Sequence, residues 1–179
     1  MGIELVTPAS TYPVSVAEAV RFCRAEDTGN DDLIGSFIAP ATQAVEEFIG
    51  HSIMTQVWRL HRDAFADEME LPRGPVTAVA AVNYLDEAGA EQVLATSVYA
   101  LDLVSSPPRV VRTAGASWPA TDDAVNAVWI DYTAGYATLP APIRHAVLAT
   151  ILQWFEDPAA AALSRGVKDA LRAFRRVVI

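Results

Sequence analysis

Two periodicities divide the chain: a helical spacing of apolar positions near both ends and a two-residue alternation between them. Ser15 followed by Glu18 reads as a capping box opening a short helix, with Val16, Ala19, Val20 and Cys23 on one stripe. A second helix starts at Asn30 or Asp31. It carries Leu33, Ile34, Phe37, Ile38, Ala41, Ala44, Val45, Phe48 and Ile49 at three- and four-residue spacing and stops at Gly50, a residue suited to the left-handed position after a helix. Pro40 falls inside this pattern and predicts a kink or a break, because proline removes one donor and crowds the preceding turn.

From Gln56 the period changes to two. The runs QVWRLHR, MEL, VTAVAAVNYL, EQVLA, VYALDLV, RVVRT and NAVWIDYTAG predict short strands. Pro72-Arg73-Gly74-Pro75 and Asp86-Glu87-Ala88-Gly89 have the chemistry of tight connections between neighbours, so hairpins of an antiparallel sheet are expected. After Tyr136 the helical period returns. Pro142 suits a first turn, and Ile143, Ala146, Val147, Thr150, Ile151 and Trp154 form a stripe that ends at Asp157-Pro158. The stretch 159–166 reads as a hinge. Beyond it Val167, Ala170, Leu171, Phe174 and Val178 make an apolar face beside an arc of Arg165, Lys168, Arg172, Arg175 and Arg176.

These elements imply an α+β fold with helices packed on one side of a small antiparallel β-sheet. The expected organisation is one domain over residues 1–158, then a hinge and amphipathic C-terminal helical tail over 159–179.

Composition narrows the class. At 179 residues, 52% hydrophobic and 20% charged, the chain has a globular domain's length and enough aliphatic mass for a core, which excludes collagen-like, disordered and disulfide-stapled classes. The single Cys23 cannot form an internal disulfide. The opening MGIELVTPAS has neither a basic segment nor an apolar one, and no apolar run is long enough for a membrane span, so a cytoplasmic protein without membrane contact is expected. Charge is uneven within the net −9. Residues 1–164 hold eight basic and 21 acidic groups, whereas 165–179 hold five basic and one acidic. The body therefore repels polyanions and the tail attracts acidic surfaces; DNA binding by the tail arc is opposed by the body's charge.

Chemical motifs are absent. The sequence has no phosphate loop, dinucleotide fingerprint, hydrolase elbow or zincin helix, so no catalytic or cofactor-binding residue is assigned. His51, His61 and His145 lie apart and Cys23 has no C-x-x-C companion, so no metal site is assigned. Cys23 on an apolar stripe reads as a buried free thiol. His61 and Asp63 alternate at a strand end and share a face. They and the Trp118 loop are the basis of a rival reading, a small intracellular enzyme using His61 as general base. The tail admits three readings: a terminal helix packed on its own domain, a membrane-surface helix, or a helix docking on an acidic protein.

Several segments, taken in order, resemble a known family. They are PVSVAEAVRFCRAEDTGNDDLIGSFI, AVEEFIGHSIMTQVWRL, LPRGPVTAVAAVNYLDEAGAEQVL (71–94), YALDLVSSPPRVV (99–111), ASWPAT (116–121), NAVWIDYTAGY (126–136) and PAPIRHAVLATILQWFED (140–157). Together they are similar to the head-tail connector, or adaptor, proteins of tailed phages and of phage-derived gene transfer agents. The resemblance spans about Pro13 to Asp157 and departs at Pro40 and in the alanines after Pro158.

It implies a structural virion protein at the head-tail junction, found in the host cytoplasm before assembly and not an enzyme. Copies would form a homo-oligomeric, dodecameric ring on the portal protein, the free chain being monomeric, and offer a surface to the tail or a head-closure protein. DNA would pass through the channel without specific binding. By the same resemblance, Val167, Leu171, Phe174 and Val178 would bury against the portal while Arg172, Arg175 and Arg176 set register. A protruding hairpin at Arg73 and Gly74 would supply ring contacts.

Overall fold

The computed structural model describes residues 2–26, 29–160 and 162–176. It is α+β, and the chain divides into two compact units: Met1–Pro8 with Thr55–Gly135, and Ala9–Met54 with Tyr136–Ile179.

The first unit holds β1 (Gly2–Thr7), β2 (Gln56–Arg62), β3 (Glu68–Glu70), β4 (Val76–Leu85), β5 (Glu91–Val93), β6 (Tyr99–Asp102), β7 (Arg109–Arg112) and β8 (Val128–Ala134). They form two antiparallel sheets, one in the order β1-β2-β8-β4-β5 and one in the order β3-β7-β6. Alternation drives the larger sheet. In β8 every second residue, Val128, Ile130, Tyr132 and Ala134, is fully buried while the residues between are half-buried. These side chains meet Leu60, Val76 and Val82 of the same sheet and Met69 and Val110 of the smaller one, so both sheets share one core.

The Asp86–Gly89 connection is a hairpin as expected, joining β4 to β5. Asp86 accepts from the backbone N–H groups of Ala88 and Ala90, both at 3.0 Å, and Gly89 adopts φ +75°. The Pro72–Pro75 connection is not a hairpin, contrary to expectation, because it joins strands of different sheets: β3 pairs with β7, and β4 with β8 and β5. The crossing is pinned where the Tyr132 hydroxyl donates to the Pro72 carbonyl at 2.6 Å.

The second unit holds α1 (Val16–Phe22), α2 (Asp31–Ile49), α3 (Ala141–Glu156) and α4 (Arg165–Leu171), the last followed by a 3₁₀ turn at Arg172–Phe174. Half of the capping box forms. The Glu18 N–H donates to the Ser15 hydroxyl at 3.3 Å, while the Glu18 carboxylate accepts from Arg144 on α3 at 2.7 Å. Pro40 does not break α2, which runs unbroken to Ile49. Proline sits on the solvent side, where the Ser36 carbonyl it leaves unpaired can bond water. Ile34, Ile38, Val45 and Ile49 of α2 bury against Ile143, Val147 and Ile151 of α3.

Candidate functional site

Among the described residues no three His, Cys, Asp or Glu side chains converge as a metal site, and no helix is long and apolar enough to cross a membrane. His61 and Asp63 do not act together. The His61 Nε2 lies 3.1 Å from Glu4 Oε2, and Asp63 accepts from the Asn126 N–H at 3.0 Å. Trp118 stacks flat on Phe65, with ring centroids 4.7 Å apart, and so packs the sheet unit. Cys23 is buried, and burial, with a smaller contribution from the Glu156 charge, raises its thiol above the ordinary value and keeps it protonated at neutral pH.

What the helical unit does build is a surface. Its tail folds back rather than projecting. Ser164 caps α4 by accepting from the Val167 N–H at 3.3 Å, and Val167 and Leu171 then bury in the core of this unit. Phe174 is half-buried at the edge of that core, and the Arg176 N–H donates to the Ile49 carbonyl at 2.8 Å, tying the end of the tail to the last turn of α2. The linker ahead of α4, read from sequence as a hinge, is clamped by Gln153. Its Nε2 donates to the Ala162 carbonyl at 2.9 Å and its Oε1 accepts from the Ser164 N–H at 3.1 Å. Sequence reasoning missed this residue, because a polar position beside an apolar stripe looks like any solvated glutamine.

With its apolar face spent inside the unit, the tail shows solvent its charges. Arg165 and Arg172 flank Asp169, at 3.8 and 3.1 Å, and Arg175 lies with its guanidinium 5.5 Å from the Phe48 ring centre. Arg165, Arg172 and Arg175 are exposed. Val178 lies outside the described residues. The two residues expected at ring contacts belong to the sheet crossing: Gly74 is buried, and half-buried Arg73 sits over the Trp58 ring at 5.3 Å.

No family model and no curated protein matches the sequence. Solved structures do. A chain in the neck of an empty gene transfer agent (GTA) particle, computed with C6 symmetry, is 28% identical with a TM-score of 0.80, the match covering 100% of this chain and 97% of that one. A chain of the native GTA virion is 26% identical with a TM-score of 0.81 at the same coverage. The fold is that of a GTA neck protein. A third neck chain, from the native particle computed with C12 symmetry, agrees at 26% identity and a TM-score of 0.76, again over 100% and 97% of the two chains. The likeness to head-tail connectors read from segments between Pro13 and Asp157 thus extends over the whole length, the tail included.

Proposed function

We propose that this chain is a structural subunit of a virion neck and acts there as a head-tail adaptor. Copies assemble as a ring on the portal, offer their far side to the tail or a closure protein, and line a channel for DNA. The observation that carries this reading is end-to-end likeness, at 97% coverage of the partner, to chains from GTA necks computed with sixfold and twelvefold symmetry. Separate partners for His61 and Asp63 supply no rival centre. Twelve copies at −9 would carry a formal charge of about −108, so the collar repels the duplex on average and lets it slide.

For the portal contact, energetics select among the tail residues. Extracting Val167 and Leu171 from the core would cost about 1.5–3 kcal/mol for each side chain, which a partner would have to offset. The tail therefore stays on its own unit, and exposed Arg172 and Arg175, with Arg165, meet an acidic portal surface and set encounter rate and register. Capture of the full chain by the portal protein encoded beside it tests this. Arg172→Glu with Arg175→Glu should leave the circular dichroism spectrum unchanged and weaken capture at least tenfold, and wild-type capture should fall as salt rises. Equal capture by wild type and variant would refute the assignment.

A further inference from the structure

The larger sheet leaves two edges open. Among the described residues β1 pairs with β2 alone, and all six of its residues are exposed, among them Ile3 at 39%, Leu5 at 43% and Val6 at 44%. Ile3 and Leu5 stand opposite Leu60 and Trp58, on the face of the sheet that carries the core, so an apolar edge runs past the last strand uncovered. On the other side β5 is only three residues long and pairs with β4 at Asn83–Leu85, with one further bond from the Leu94 N–H to the Val82 carbonyl at 2.8 Å. Among the described residues no strand pairs with the outer side of Val76–Ala81, where Thr77, Ala78 and Ala80 are exposed. A monomer with two such edges invites strand addition.

Resting on the neck-ring reading, we infer that copies join by strand addition, the open edge of β1 in one copy pairing with the open stretch of β4 in the next. A closed ring needs a head-to-tail contact between two different patches, and this sheet has two. Strand sense selects the pair. Neighbours in the order β1, β2, β8, β4 are all antiparallel, so β4 runs opposite to β1. Rotation about an axis near the strand direction preserves sense, so β1 of the next copy meets β4 antiparallel like every other pair in the sheet, whereas it would meet β5 parallel. Lengths match: six residues in β1, about 20 Å, face the six of Val76–Ala81. Both strands are also bent where they would meet, β1 by an irregularity between Leu5 and Thr7, β4 by two, between Val76 and Ala78 and between Val79 and Ala81. Bulges add curvature and twist, which a turn of about 30° from copy to copy in a twelvefold ring requires. The rival view makes these bulges guards of a monomeric edge.

Cysteine pairs in assembled necks decide between them. In a Cys23→Ala background, Glu4→Cys is combined in turn with Thr77→Cys, Ala78→Cys and Ala80→Cys, the necks are mildly oxidised, and the chain is resolved on a non-reducing gel. At least one double variant should give a ladder of oligomers, and every single variant should give monomer. Dimers from Glu4→Cys alone would mean that β1 pairs with itself about a twofold axis and would overturn the inference. Rings intact by electron microscopy but unlinked in all three pairs would overturn it and leave the neck reading standing. Necks that lack the wild-type chain altogether would overturn both.

Discussion

The side-chain amide of Gln153 on α3 holds the backbone of Ser164, the cap of α4, with a 3.1 Å hydrogen bond accepted by Oε1, and its other end holds the Ala162 carbonyl. One side chain thus ties α3 to the backbone on which α4 begins. Because the contact is exposed, Gln153→Ala should lower global stability by only about 1 kcal/mol. It should nevertheless speed amide exchange across residues 162–171 by at least tenfold, read by hydrogen-exchange mass spectrometry. Unchanged protection there would show that the apolar contacts of α4 fix the tail unaided.

Those contacts give a larger effect. Leu171 is fully buried in the helical core, so Leu171→Ala should cost about 2–5 kcal/mol in denaturant unfolding. Arg172→Ala, one residue on and exposed, should change stability by no more than about 0.5 kcal/mol. Equal effects of the two would contradict a folded-back tail.

Much of this architecture is legible in the sequence, and the failures have physical causes. β2 and β4 were expected at Gln56–Arg62 and Val76–Leu85, where they are found, since a half-buried strand imposes alternation on its residues. β1 went unread. An edge strand exposed on both faces imposes no such pattern, and its partner lies fifty or more residues away. Pro72–Pro75 announced a change of direction, which turn residues encode. Which sheet the next strand joins depends on distant side chains such as Tyr132, and turn chemistry is silent on that. The tail's apolar face was evident, yet a stripe of Val167 and Leu171 says only that something covers it. The structure supplies the cover, the helical core of the same chain, with α3 beside α4; the arginines are the tail side chains left exposed for the proposed portal contact.

The sheet unit carries a pH signature. Asp102 accepts from both the hydroxyl and the N–H of Ser105, at 2.6 and 3.0 Å, and from Arg109 at 3.0 Å, which lowers its carboxyl from the ordinary value to about 2. A depressed carboxylate contributes stability in full above its unfolded value of about 3.9, and that contribution is lost as pH falls through the folded value. Carboxyl-carbon NMR should therefore find Asp102 still ionised at pH 3. A midpoint near 4 would mean that the Ser105 and Arg109 bonds do not persist in solution.

Cys23 offers a check on the helical core. Burial and the Glu156 charge keep it a thiol at neutral pH, so a thiol-specific reagent should label it slowly in the native protein and at once in denaturant. Fast native labelling would show that α1 does not stay packed.

The central claim is that the chain works by its shape and charge as a subunit of a particle neck. Cryo-electron microscopy of particles from the producing cell, with and without the gene, tests it most directly. The expected map places this fold as a twelvefold or sixfold ring between head and tail, and heads from the deletion strain should lack tails. Complete, tailed particles without the chain would contradict the claim.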